Sequence, residues 1–476
     1  MSSNNELIGR IEAQGTIFGH PKGLYLLFFT EMWERFSYYG MRGILMLYMT
    51  KLWMENGLNI DSQNASLIYG FFTGFVYFTP LFGGLIADRW LGQRLSITIG
   101  GITMFAGQLV LFLMNTHFGL GLGLVLLVIG NGFFKPNIST IVGQMYRDGD
   151  AKKDAAFSIF YMGINLGALL APLVIGTLAE DTFAVRGADG EIMSYGFKYG
   201  FLVAAIGMGL GQIFFNLLSK KYLLELGQKP VVKTKEEKSA EKEADSHVTV
   251  DPQMKKIERQ RLAVIFILTF FVIFFWAGFE QAGSSLTLYT DKYINRHVGG
   301  WEIPTTFFQA FNPILIVALA PVFAWLWTTK LFSRMSTPVK MSLGMILLGL
   351  GFLFMLMATF EVKTSVVNGE EVVKQKAALI WLLLTYFLHT IGELCLSPVG
   401  LSMVTKMAPV RLVSLMMGVW MLSSFFANIL GGFVAKYTEV MGAYTIFYSI
   451  AVFVIALGLI LLLISKRISK LMNGVV

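Results

Sequence analysis

The chain has 476 residues, 55% of them hydrophobic and only 14% charged, with a mean hydropathy of +0.63. A water-soluble domain of that length needs more surface charge, so soluble classes are excluded and a multi-span membrane protein is indicated. The net charge of +8 then reflects topology rather than nucleic-acid binding, and the single cysteine, Cys395, allows neither an internal disulfide nor a cysteine metal cluster.

In chain order, residues 1–21 read as a cytoplasmic tail; they lack the basic, apolar and small-residue succession of a cleavable signal peptide, so span 1 is expected to serve as its own insertion signal. Apolar runs long enough for a bilayer core then predict six spans over residues 22–50, 64–88, 93–115, 118–143, 154–178 and 198–220. These form a bundle at 22–222. Residues 223–259 read as a cytoplasmic linker; its run from Gly227 to Gln260, rich in both signs of charge, is predicted to stay flexible or weakly helical. A second bundle, 260–465, holds spans over 260–289, 304–329, 338–359, 377–403, 409–434 and 441–465, and 466–476 reads as a cytoplasmic tail.

The expected fold is thus an all-α membrane protein of twelve transmembrane helices in two six-helix bundles. With both termini in the cytoplasm, most of the 38 Lys and Arg fall on cytoplasmic segments. A weak likeness between the halves supports a pseudo-twofold relation: "GNGFFKP" (Gly130 to Pro136) in span 4 matches "GELCLSP" (Gly392 to Pro398) in span 10 in the spacing of Gly and Pro. Such matched interruptions suggest bendable helices beside a central site, as in transporters built from repeats.

Span 1 carries "FFTEMWERFSYYGMRG", Phe28 to Gly43, where Glu31, Arg35, Tyr38 and Arg42 follow the helical i, i+4, i+7, i+11 spacing. Glu34 and Tyr39 share this face. The other deep charges are Lys135 in span 4, Glu280 in span 7 and Glu393 in span 10. Each costs about 2.5–3.5 kcal/mol or more at mid-bilayer unless paired or hydrated, so convergence on a shared aqueous cavity between the halves is expected. Four glutamates oppose Arg35, Arg42 and Lys135, and one bound proton neutralises the set. Neighbouring carboxylates titrate as a coupled group, which makes this material for proton coupling. A purely structural reading, ion pairs that latch helices, fits Arg42 and Glu280 best, and even that pair would act as a gate. Tyr77, Tyr161, Asn165, Asn312 and Ser424 are either hydrogen-bonding partners for a ligand or interhelical glue, and Trp420 either lines a pocket or packs.

The sequence resembles the proton-dependent oligopeptide transporters of the major facilitator superfamily. The likeness rests on Glu31-x-x-Glu34-Arg35-Phe36-x-Tyr38-Tyr39-Gly40, "GGLIADRWLGQR" (Gly83 to Arg94), "FSIFYMGINLGAL" (Phe157 to Leu169), "GNGFFKPN" and "GELCLSPVG". It implies a plasma-membrane symporter that imports di- and tripeptides by alternating access, using the proton gradient and no cofactor. By this resemblance Arg35 and Lys135 would hold the peptide carboxylate, Glu393 its amino group, and Asn165 and Asn312 its backbone. Tyr39, Tyr77, Tyr161, Trp420 and Ser424 would complete the pocket. Glu31 and Glu34 would exchange protons and pair with Lys135, and Glu280 would titrate against Arg42 at an outer gate.

Two departures stand out: many bacterial members insert two further helices where Gly227 to Gln260 is polar, and span 2 lacks the histidine that animal members use for protons. His389, one turn before Glu393, is the only histidine deep in a span, and the carboxylates are the favoured proton carriers. The expected partners are peptides, protons and membrane lipid, with no nucleic acid, metal or obligatory protein partner. A symporter of nitrate or another small anion is the alternative, though Glu393 would repel an anion. An intramembrane enzyme is remoter still, since neither a His-Glu-x-x-His nor a Gly-x-Ser-x-Gly motif is present, and a primary pump lacks its phosphate-cradling loop.

Overall fold

The computed structural model describes residues 2–147, 150, 152–188, 190–230, 252–330, 332, 334–367, 370–409 and 412–474. Most of the segment read as a flexible linker therefore lies outside the described residues. Among the described residues, eleven helical segments are long and apolar enough to cross a membrane by length and composition: Ser62–Leu91, Gln93–Leu113, His117–Gln144, Lys152–Thr182, Phe197–Tyr222, Gln253–Tyr293, Thr305–Leu326, Thr337–Glu361, Leu379–Met407, Leu415–Thr438 and Ala443–Leu471. They are spans 2 to 12. Span 1, the 29-residue helix Lys22–Thr50, is equally long, and its charges alone set it apart. A helix satisfies every backbone group internally, which is why apolar runs of this length fold this way in lipid.

The chain divides into two compact units. The first comprises Met1–Ile60, Phe75–Lys238 and Thr306–Pro313; the second comprises Asp61–Gly74, Ser239–Thr305 and Ile314–Val476. In the first unit, span 1 lies against spans 5 and 6, and span 3 against spans 4 and 6. Glycines allow the closest of these approaches. A Cβ on Gly167 of span 5 would lie 2.4 Å from the Met32 carbonyl oxygen and 2.9 Å from the Arg35 Cβ, so span 1 sits directly on the Gly163-x-x-x-Gly167 surface. Gly132 does the same for span 4 against Thr79 of span 2, whose hydroxyl donates to the Val128 carbonyl at 2.9 Å.

In the second unit, span 9 packs against spans 10 and 12, and span 7 against span 11. Span 7 is longer than its hydropathy suggests, running as a helix from Pro252 to Phe279, through a tight turn at Glu280–Gly283, and on from Ser285 to Tyr293. The sequence reason for the turn is Gly283 and two serines. Gln281 satisfies the interrupted backbone, donating to the carbonyls of Ala277 at 2.9 Å and Gly431 at 3.0 Å while accepting from the Ser285 hydroxyl at 2.7 Å.

The segments outside the membrane hold more structure than the tail and loop reading gave them. Ser2–Glu12 is a helix that buries Ile8 and Ile11, followed by a hairpin pairing Thr16–Ile17 with His20–Pro21. Between spans 9 and 10, Lys363–Val367 pairs with Glu370–Gln375 in an antiparallel hairpin.

Candidate functional site

Span 1 buries three ionisable side chains: Glu31, Glu34 and Arg35 are 1%, 0% and 4% exposed. One turn of helix separates Glu31 from Arg35, and Arg35 Nε donates to Glu31 Oε1 at 2.8 Å. The same nitrogen lies 3.1 Å from Glu34 Oε2, but its single N–H points at Glu31, so the second contact is Coulombic rather than a hydrogen bond. Glu34 is held from its other oxygen by Asn131, whose Nδ2 donates to Oε1 at 3.1 Å. Two carboxylates thus share one guanidinium nitrogen, and Glu31 Oε2 has no hydrogen-bond partner among the described residues. Two buried carboxylates therefore depend largely on one shared guanidinium for charge compensation.

Lys135 stands one helical turn beyond Asn131 on span 4, half-buried, with its ammonium 4.4 Å from the centre of the Tyr77 ring. An ammonium over an aromatic face is attracted by the ring quadrupole without its charge being neutralised. Tyr39 is half-buried on span 1, and Tyr161, 61% exposed, offers its carbonyl to Asn165 Nδ2 at 3.0 Å within span 5. Asn165 therefore retains its amide oxygen and one N–H. Asn312 also belongs to the first unit, half-buried just before Pro313 in span 8, and Arg42 is buried near the end of span 1.

In the second unit Glu393 is half-buried on span 10 and Glu280 half-buried at the turn of span 7. Trp420 is buried; a Cβ on Gly400 would lie 2.4 Å from its ring, so Gly400 provides the space for the indole. Ser424, one turn on, is half-buried and accepts from Asn428 Nδ2 through its carbonyl at 2.8 Å, leaving its hydroxyl outside that bond. His389 is buried among aromatic rings, 4.7 Å from Phe352 and 6.3 Å from Phe279 between centroids. Among the described residues there is no group of three His, Cys, Asp or Glu placed to hold a metal ion.

The structure therefore joins Glu31, Glu34 and Arg35 directly, and Tyr77 with Lys135. Asn131 is a participant that sequence reading missed, although its position one turn before Lys135 in "GNGFFKP" was a usable signal. Glu180, at the end of span 5, is a second: it is 1% exposed and bonded to Thr306.

A sequence model of the POT family matches residues 94–235 and 224–451. Over its whole length the chain is 36% identical to an uncharacterized transporter, YclF, of Bacillus subtilis, covering 99% of it. It is 33% identical to the peptide transporter YePEPT of Yersinia enterocolitica, with 96% of each chain covered. The di-/tripeptide transporter of Lactococcus lactis subsp. cremoris is 31% identical, with 98% of this chain and 99% of that one covered. Among solved structures, a peptide transporter POT in complex with sulfate superposes with a TM-score of 0.84 at 35% identity, covering 98% of this chain and 99% of that one. A POT family transporter in complex with 5-aminolevulinic acid gives 0.81 at 31% identity, covering 95% and 98%. These likenesses span the chain, agree with the all-α major facilitator fold expected from the sequence, and place this multi-pass protein among transporters: it belongs to the POT family.

Proposed function

We propose that the protein is a proton-coupled symporter that imports di- and tripeptides by alternating access. The carrying observation is the buried Glu31–Arg35–Glu34 triad with Asn131 on Glu34. A peptide carboxylate competing for Arg35 withdraws the charge that keeps two carboxylates ionised, and a proton restores neutrality. Substrate and proton binding are thereby coupled in free energy, and the coupling is reciprocal. Lys135, held over Tyr77, supplies the second cation for the peptide carboxylate. Glu393 takes the amino group, and Asn165 and Asn312 take the peptide backbone. Tyr39, Tyr77, Tyr161, Trp420 and Ser424 line the pocket, while Arg42 and Glu280 gate it. Peptide zwitterions carry fixed opposite charges, so recognition from two ends needs no particular side chain.

Support comes from the relatives named as peptide and di-/tripeptide transporters. The protein is a transporter without enzymatic activity or cofactor, resident in the plasma membrane with both termini cytoplasmic. Its partners are peptides, protons and lipid. Reconstitution into liposomes with an imposed pH gradient tests this reading by uptake of labelled dialanine. Accumulation that follows the gradient and resists excess nitrate is expected; uptake indifferent to the gradient, or displaced by nitrate and not by dipeptide, overturns it.

A further inference from the structure

Glu180 is a buried carboxylate that the proposed peptide and proton sites do not use. It lies in the widened turn Leu178–Thr182 that ends span 5. Thr306, in the short helical turn Thr305–Phe307 that begins span 8, donates its backbone N–H to Glu180 Oε1 at 2.9 Å, and its hydroxyl donates to the same oxygen. Thr306 is itself fully buried, seated against two glycines. A Cβ on Gly43 of span 1 would lie 2.8 Å from Thr306 Cγ2, and one on Gly176 of span 5 would lie 3.0 Å from the Thr306 Cβ. Gln309, nearly one turn further along span 8, donates to the Gly43 carbonyl at 3.2 Å.

The end of span 1, the end of span 5 and the start of span 8 thus form one socket within the first unit. Since successive spans alternate in direction, all three of these ends lie on the membrane face opposite the termini. The chemistry is that of a contact made to be broken. A carboxylate facing the N–H groups of a helix start is strongly held when dry, and it weakens steeply when water enters, because both partners are then solvated. An apolar contact of the same shape would not respond to water in this way.

We infer that Glu180 is a positioning residue of the transport cycle: it holds the start of span 8 in the Gly43–Gly176 socket, and this bond breaks when the face opposite the termini opens to water. The inference rests on the transport reading above. Glu180→Gln keeps the side-chain shape while removing the charge, and Thr306→Val removes the hydroxyl at nearly constant volume. In the full-length transporter in liposomes, both variants should raise amide hydrogen exchange across residues 305–311 by about tenfold, with residues 22–35 unchanged. Both should also lower the half-saturation concentration for dialanine offered at that face, because more of the population is open there, and lower the maximal rate.

A role confined to folding would reduce the maximal rate through loss of active protein and leave half-saturation in place. Gly176→Ala, which wedges the same socket from the other side, should act in the same direction. Wild-type exchange rates in both Glu180→Gln and Thr306→Val, or faster exchange with unmoved half-saturation, overturn the inference. Should wild-type protein fail to transport dialanine, the peptide reading falls, and the exchange rates still decide whether Glu180 holds span 8.

Discussion

Gly167→Ala is the smallest change that tests how span 5 positions the charged face of span 1. The added Cβ would lie 2.4 Å from the Met32 carbonyl oxygen, 2.9 Å from the Arg35 Cβ and 3.0 Å from the Phe36 amide nitrogen. Ordinary contact begins near 3.4 Å, so the two helices must separate by roughly 1 Å at this level. Two of the three obstructing atoms belong to the backbone, and no side-chain rotation relieves them. Overpacking of this kind costs about 1–3 kcal/mol. Because Arg35 and Asn165 flank the contact, the distortion falls on the proposed peptide site, and a loss of 1.4 kcal/mol there is about tenfold in affinity. Melting of the purified protein in detergent, followed by intrinsic fluorescence, measures the first effect, and dialanine competition measures the second. Gly121→Ala is the control, since nothing lies within 4 Å of the Cβ it adds. If Gly167→Ala melts and binds like wild type while Gly121→Ala does the same, the close approach of spans 1 and 5 does not set the geometry of the site.

Glu393→Gln should weaken dialanine binding by about tenfold or more, as expected for losing a charged hydrogen bond to the amino group; unchanged competition binding would remove Glu393 from that role. Glu31→Gln and Glu34→Gln should preserve peptide exchange across the membrane without net proton movement and abolish gradient-driven accumulation, and accumulation retained in both would exclude them as coupling sites. Outside the membrane, Glu371 of the hairpin Glu370–Gln375 accepts from Lys292 Nζ at 2.6 Å, and this bond first of all holds its carboxyl below the ordinary range. A depressed folded-state pKa contributes stability above the unfolded value, and this is lost as pH falls through the folded one. Protection of the hairpin from hydrogen exchange should therefore decline on acidification below about pH 4, by less than about 1 kcal/mol because both partners are half exposed. Lys292→Met should remove that pH dependence; an identical decline in the variant would assign it elsewhere.

The spans and the charged face of span 1 were legible in the sequence because both obey simple periodicities: some twenty apolar residues per crossing, and four residues between Glu31 and Arg35. Asn131 was only half legible: its place one turn before Lys135 is a signal, but its partner is not. A lone amide in an apolar helix reads equally as glue, and only the packing of span 4 reveals that it reaches Glu34. Glu180 was lost at a boundary, since span 5 was read as ending at residue 178 and an acidic pair beyond an apolar run looks like a loop. Its hydrogen-bond partner, Thr306, is far off in sequence. Reading span 7 as 260–289 carried it past Glu280 but as one unbroken helix; the turn within "EQAG" was not legible, because the side chain of Gln281 rescues its broken backbone. Hydropathy averaging also concealed the hairpin between spans 9 and 10, although Asn368-Gly369 between alternating residues is a hairpin signal in its own right.

The coupling of peptide to proton is tested most directly by trapping a pH indicator inside liposomes and adding dialanine outside without any imposed gradient. If the peptide carboxylate displaces the glutamates from Arg35 and so favours proton binding as described, the lumen acidifies when wild-type protein meets dialanine, and stays neutral with Glu31→Gln or Glu34→Gln. Peptide entry by the wild-type protein with no movement of internal pH would contradict the account.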